Sequence, residues 1–234
     1  MRPLKLVILN LMPKKVETET QLLRLISKSP LQVEIDFMKT STHEPTHVSH
    51  DHLVKFYETL DAFRDNYYDG FVVTGAPVEH LPFDQVDYWD EFKSILDWAS
   101  THVFSTMYLC WGAMGALNYR YGVRKVDLPE KIFGVFPQYL QDEYCFLTNG
   151  FDEIALQPHS RLAGVNEADV AANPDLQVLT WSAVRAWPDR HSRFLRSVRS
   201  RPLGVRQDDA PGGVRARHGE GDGQRPVPAQ LLPA

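Results

Sequence analysis

Cys110 ends the apolar run VFSTMYLC (103–110), and the chain continues at once into WGAMGALNYRY, with Gly112 and Gly115 just inside it. A strand that turns directly into a helix at a nucleophilic side chain has the layout of a nucleophile elbow. In that layout the thiol stands above the sheet edge and the backbone N–H of Trp111 can join an oxyanion hole. The helix N-terminus also favours the thiolate. An unperturbed thiol has a pKa of about 8.5 and is only a few per cent ionised at neutral pH. Lowering that pKa by two units is worth roughly 2.7 kcal/mol. A buried cysteine acting as a small hydrophobe produces the same local pattern, so the elbow alone leaves both readings open. The loop TGAPVEH (74–80) follows an apolar strand of its own and is expected beside Cys110. There Gly75 can bring backbone N–H groups close to an oxyanion and Pro77 stiffens the turn, although an ordinary strand-to-helix turn looks similar. The second cysteine, Cys145 in EYCFLTNG, lacks an elbow and reads as structural.

The surrounding segments alternate between strand and helix. KLVILNL (5–11) is a continuous apolar run, as expected of a strand buried on both faces. Glu17 to Ser27 places Leu22, Leu23, Leu25 and Ile26 at helical spacing, and LQVEIDFM (31–38) alternates like a strand. Leu53 to Phe63 reads as a helix and GFVVTGAP (70–77) as a strand entering a turn. Tyr88 to Ser100 carries an apolar stripe of Trp89, Phe92, Ile95, Leu96 and Trp98, and Trp111 to Tyr121 is the helix after the elbow. Strands joined by single helices predict an α/β fold, an open parallel sheet with helices on both faces. The chemistry of such sheets lies at the carboxyl ends of the strands.

With 234 residues the chain can build one α/β domain, or one domain and an appendage. A net charge of −5 gives no electrostatic reason to expect nucleic acid or an anionic membrane as partner. No apolar run approaches the roughly 20 residues that span a bilayer, and MRPLKLVILNLMPKK reads as a buried strand rather than a signal peptide. Two cysteines far apart in sequence fit thiols in a reducing cytoplasm better than a disulfide framework or a zinc site. A cytoplasmic protein without a metal is therefore expected.

ILNLMPKKVETETQLLRLISKSPLQVEI, the TGAP loop, YLCWGAMGALNYRYGV, PEKIFGVF and LQPHSR together resemble the homoserine O-acyltransferases of methionine biosynthesis, both succinyltransferases and acetyltransferases. The similarity runs in order from about Arg2 to Trp181. It implies a class I glutamine amidotransferase-like fold, no bound cofactor, and acetyl-CoA and L-homoserine as substrates; the family is often dimeric, so a homodimer is a further expectation. On this resemblance Cys110 takes the acyl group from acyl-CoA as a thioester, which the homoserine hydroxyl then attacks. Lys131, in PEKIFG, matches a homoserine-binding position where an ammonium pairs with the substrate carboxylate. By its own context it is a solvated surface lysine. Ser160, in LQPHSR, matches a second substrate-binding position and otherwise reads as a turn serine; its neighbours His159 and Arg161 receive no catalytic role. Glu79 stands where the family reads the acyl donor, with Gly in succinyl-CoA users and Glu in acetyl-CoA users. A carboxylate there repels the free carboxylate of a succinyl group. At about 4 Å that repulsion is roughly 1 kcal/mol in water and about 4 at an effective dielectric of 20, so an acetyl donor is expected.

The family also carries a histidine base and an orienting glutamate in a C-terminal segment like LGHWEYG, and none exists here. After about Ser182 the chain has no lysine, many arginines, scattered prolines and no sustained period. A basic nucleic-acid-binding tail or a disordered linker would share that composition, but the genetic code offers a better account. Synonymous codons for Arg185 to Arg206, read one base later, can spell GPGLIATRDFSEVFALGHWEYG. The missing histidine codon then straddles Pro202 and Leu203, and the glutamate codon Gly204 and Val205. Residues 1–183 are therefore expected to form an incomplete acyltransferase domain, and residues 184–234 an out-of-frame, disordered tail that replaces the last part of the core. The start at Met1 also reads as late relative to the family. A missing general base costs about 10²–10⁴ in rate, so impaired transfer is expected.

Two other function classes compete. A glutamine amidotransferase-type hydrolase shares fold and elbow, but such enzymes place glycine on both sides of the nucleophile where this chain has Leu109 and Trp111. A non-enzymatic, pseudoenzyme role follows from the altered tail.

Overall fold

The computed structural model describes residues 2–42, 50–141, 147–184, 192–200 and 230–232, the last two stretches as backbone. Cys145, Leu203 and Val205 lie outside the described residues. The elements run β1 (Leu4–Leu9), α1 (Lys15–Ile26), β2 (Val33–Met38), α2 (His50–Phe56), β3 (Tyr57–Glu58), α3 (Leu60–Phe63), β4 (Tyr68–Val73), α4 (Trp89–His102), β5 (Val103–Leu109) and α5 (Trp111–Tyr121). They continue with β6 (Lys125–Leu140), β7 (Ile154–Val165), α6 (Glu167–Ala172), β8 (Leu176–Val184), β9 (Ser192–Ser200) and β10 (Gln230–Leu232).

All ten strands join one sheet in the order β3-β2-β1-β4-β5-β10-β9-β8-β6-β7. The half from β3 to β5 is parallel throughout. From β1 the chain builds outward through β2 and β3, then returns to the other side of β1 for β4 and β5. This reversal between β1 and β4 opens a crevice at the carboxyl ends of the two strands. Val7, Ile8 and Leu9 of β1 are fully buried, as the uninterrupted apolar run requires of a strand covered on both faces. Helix α4 buries Phe92, Ile95, Leu96 and Trp98, four of its five predicted stripe residues, while Trp89 packs half-buried against the core.

Beyond α5 the chain forms long antiparallel pairs, β6 with β7 and β8 with β9, that the helix–strand alternation does not foreshadow. Strand β10 pairs parallel with β5 and antiparallel with β9. Two local readings change. The helix expected over Leu53–Phe63 is cut by β3, because Tyr57 is buried and its hydroxyl donates to Glu19 Oε1 (2.5 Å) while the backbone pairs with β2. In α1 the inward stripe is Lys15, Glu19, Leu22 and Ile26, so Leu25 is 65% exposed. Among the described residues no helix is long and apolar enough to cross a membrane.

Candidate active site

Cys110 is the hinge between β5 and α5, with φ 53° and ψ −124°. Among the described residues it is the one non-glycine residue with positive φ. Conformations of this kind cost of order 1–3 kcal/mol and persist only where the surroundings enforce them. The enforcement is visible. The Cys110 carbonyl accepts from Ala113 N (3.0 Å) and Met114 N (3.2 Å), which starts the helix at once. Trp111 is fully buried, its ring packed among Phe83, Tyr88 and Phe92 with centroids 5.2–6.0 Å away. The thiol does not cap the helix it begins, and the residue remains half-buried.

The loop after β4 presses on this turn. A Cβ added to Gly75 would lie 2.7 Å from Cys110 Cβ, 3.0 Å from its Sγ and 3.8 Å from Trp111 N. A Cβ on Gly112 would lie 2.7 Å from the Thr74 carbonyl oxygen. Both glycines are thus dictated by close backbone approach rather than by φ. Thr74 ties the loop to the end of β1, its N–H donating to Leu9 O (3.0 Å) and its Oγ1 accepting from Leu11 N (2.8 Å). Further along, the Lys125 ammonium donates to the carbonyls of Glu79 and Leu81. Glu79 is half-buried. A cleft of about 190 Å³ opens at the strand-order reversal, lined by residues of the β1 loop (Leu11–Pro13, Lys15) and of the β4 loop (Pro77, Val78, Leu81) with Tyr88.

Lys131 and Ser160 come together on the β6/β7 hairpin. Ser160 pairs with Phe133, and Lys131 sits in the irregular stretch between Asp127 and Ile132 where the register shifts. Bulges of this sort re-aim side chains. Both residues are exposed, and Lys131 Nζ lies 5.7 Å from the Phe133 ring centroid. Their flanking partners turn inward: His159 and Arg161 are 2% exposed, and His159 Nε2 is 2.8 Å from Gln138 Nε2. In strand order β10, β9 and β8 separate the hairpin from β5, which carries Cys110. Lys125, at the base of β6, reaches the loop after β4, and Val123 and Ala163 share the core of α5.

A sequence profile for homoserine O-succinyltransferase (HTS) matches residues 1–187. The chain belongs to this family. It is 91% identical over 180 residues to a homoserine O-acetyltransferase of Bifidobacterium adolescentis, covering 77% of this chain and 52% of the relative. Over 181 residues it is 49% identical to a homoserine O-acetyltransferase of Bacillus subtilis, covering 77% of this chain and 60% of that protein. The chain thus spans between about half and three-fifths of these relatives. A glutamine amidotransferase of Thermotoga maritima superposes with a TM-score of 0.53 at 8% identity, covering 85% of this chain and 72% of that one. This match, with one to PurLQS of the same organism (TM-score 0.50, 10% identity, 86% and 82% covered), establishes the class I glutamine amidotransferase-like fold.

One polar cluster between the carboxyl end of β1, α1 and β3 escaped sequence reasoning. Lys15 is 5% exposed, its ammonium donates to the Asn10 carbonyl, and burial lowers its pKa to about 8. Nearby Lys39 lowers it further, whereas Glu19 opposes the shift. Glu19 accepts from Tyr57 and lies 3.1 Å from His52 Nε2, and burial pushes the Tyr57 hydroxyl pKa upward. Lys14 and Lys15 open α1, where cations oppose the helix dipole; Lys14 stays exposed and pairs with Glu17 (3.2 Å), and Lys15 alone turns inward. Among the described residues no group of three or more His, Cys, Asp or Glu is placed to hold a metal ion.

Proposed function

We propose that the chain carries an acetyl-CoA:L-homoserine acetyltransferase site in which Cys110 is the nucleophile. The observation that carries this reading is the strained Cys110 turn at the start of α5 with Gly75 held against its side chain. The Cys110 thiolate attacks the thioester carbonyl of acetyl-CoA. Negative charge develops on the carbonyl oxygen, near which the Trp111 N–H and the Gly75 backbone are available donors. The CoA thiolate leaves and takes a proton, and the acetyl group remains on Sγ. The homoserine hydroxyl then attacks this thioester, loses its proton to a base, and releases O-acetylhomoserine with the Cys110 thiolate restored. Lys131 pairs with the homoserine carboxylate and Ser160 hydrogen-bonds the same substrate. Glu79 disfavours a succinyl donor by charge and volume, in keeping with the acetyltransferase names of both relatives.

The same proposal places the base outside what this reading frame encodes. Residues 1–183 supply the nucleophile and the substrate contacts, and the tail lacks the family's LGHWEYG segment, its His191, His218 and Glu220 standing elsewhere in the sequence. The match at 91% identity covers 180 of the 234 residues. Transfer to homoserine is therefore reduced by about 10²–10⁴, whereas acetyl-cysteine still forms.

The test is intact-mass measurement of the purified chain after acetyl-CoA, then after homoserine. One acetyl group on Cys110, absent in Cys110→Ala and slow to leave with homoserine, is the expected result. A companion chain carrying GPGLIATRDFSEVFALGHWEYG in place of residues 185–206 should turn over faster. An unacylated Cys110 would sink the nucleophile assignment, and equal turnover of the two chains would sink the frame argument.

A further inference from the structure

Resting on that reading of Cys110 and Glu79, we propose that Lys125 is a positioning residue for acyl-donor choice, clasping the loop that carries Glu79. Lys125 opens β6, and its side chain is only 10% exposed. Its ammonium donates to the Glu79 carbonyl, to the Leu81 carbonyl (3.0 Å) and to Asp127 Oδ1 (3.0 Å). An ammonium has three protons, and these three acceptors engage them all, so the group holds the loop rather than a ligand. Asp127 is 71% exposed and its pairing is screened by water; the two loop carbonyls are the part of the clasp that counts.

The loop needs such a hold. Between Gly75, fixed against the elbow, and the single helical turn Phe83–Gln85 it forms no helix or strand. Pro77 and His80 are exposed, and one turn hydrogen bond, Leu81 N to Val78 O (3.0 Å), organises its middle. The backbone of Lys125, by contrast, is anchored to the helix that Cys110 begins. Gly122 ends α5 at φ 67° with its N–H donating to Asn118 O (2.9 Å), Val123 N donates to Leu117 O (3.3 Å), and Arg124 N donates to Asp169 (2.9 Å). Nucleophile and donor-reading loop therefore share one rigid carrier: α5 sets Cys110 at one end and, through Lys125, Glu79 at the other. A carboxylate discriminates by charge and volume only if it is held in one place. Releasing the clasp lets Glu79 move away from an incoming succinyl group.

The experiment measures the rate of Cys110 acylation, by intact mass, from acetyl-CoA and from succinyl-CoA. It compares the native chain with Lys125→Met, Glu79→Gly and the double variant, and follows amide hydrogen exchange across residues 78–82. Lys125→Met should speed that exchange and lower the acetyl-over-succinyl rate ratio by about tenfold, towards Glu79→Gly, the double variant matching Glu79→Gly alone. A loss of general stability would slow both donors alike and leave the ratio in place. Unchanged exchange, faster exchange with an unchanged ratio, or a double variant well below Glu79→Gly would each overturn the proposal. If the native Cys110 accepts neither acyl group, the underlying reading falls and takes the specificity role with it, while the exchange data still report on the clasp. Lys125→Gln serves where the methionine variant does not fold.

Discussion

Gly75→Ala adds one methyl group at the point where two strand-end loops meet. Its Cβ would stand 2.7 Å from Cys110 Cβ and 3.0 Å from Sγ, whereas carbon atoms rest at about 3.5–4.0 Å. The sulfur alone could rotate away, but Cys110 Cβ is fixed to the backbone. That backbone is already at φ 53° and begins a helix whose second residue, Gly112, has no room either. The elbow and the loop must then separate by about 1 Å. Overpacking of this size costs about 1–3 kcal/mol of stability, and a displacement of about 1 Å at a reacting centre costs roughly 10²-fold in rate. The assay is Cys110 modification, by acetyl-CoA and by iodoacetamide, followed by mass, with urea unfolding alongside. Iodoacetamide needs only an accessible thiolate, so it reports on the elbow whatever the natural donor is. Gly164→Ala is the control, because a Cβ there meets no atom within 4 Å. Slower modification by both reagents with about 1–3 kcal/mol lost is expected for Gly75→Ala alone. Native-like rates and stability would refute the close approach on which the site was built.

Two further outcomes follow from strain and burial. Cys110→Gly should be more stable than Cys110→Ala by about 1 kcal/mol in urea unfolding, because glycine relieves a positive φ costing about 1–3 kcal/mol and returns part of that as unfolded-state entropy; equal stabilities would show that the turn stores no strain. For Lys15, burial puts the folded pKa near 8 against an ordinary 10.5. The unfolded chain therefore binds more protons between those values, and stability rises with pH across that window by at most about 3 kcal/mol. The native chain should gain this increment between pH 8 and 10.5 relative to Lys15→Met, measured as the difference in ΔG of unfolding; parallel pH profiles would contradict the buried-ammonium account.

Legibility in the sequence divided along a physical line. The parallel half announced itself because a strand covered on both faces must be apolar throughout, as Val7, Ile8 and Leu9 are. The elbow was visible because a nucleophile falls between an apolar strand and a helix with no residue to spare. The hairpin strands were not read from period, since β6 leaves Phe133 and Val135 exposed and β7 buries Arg161, which inverts the usual alternation. Tyr57 broke an apparent helix through a hydrogen bond to a residue 38 positions away, a signal no local window contains. Lys125 was missed for the same reason, because a lysine that spends its protons on carbonyls 44 and 46 residues away looks, in sequence, like any surface lysine. Lys15 donates to a carbonyl five residues back, and it is its burial that the sequence hides.

The division also runs through the proposed chemistry. Acyl-enzyme formation depends on a strained turn, a glycine pressed against it and a loop held from α5, all drawn from residues before 126. On the proposed reading, deacylation needs a base that reaches the substrate hydroxyl, and the resemblance places that base in the segment that residues 185–206 replace. The contacts described for Gly75, Trp111 and Lys125 with the elbow and its loop join residues before 126, but β5 also pairs with β10 through Leu109 and Leu232, so the tail touches the strand that carries the nucleophile. On the proposed reading the two half-reactions come apart: acetyl-CoA would charge Cys110 about once per chain and homoserine would discharge it slowly. A burst without sustained turnover is thus the kinetic form expected of a site that keeps its nucleophile and lacks its base.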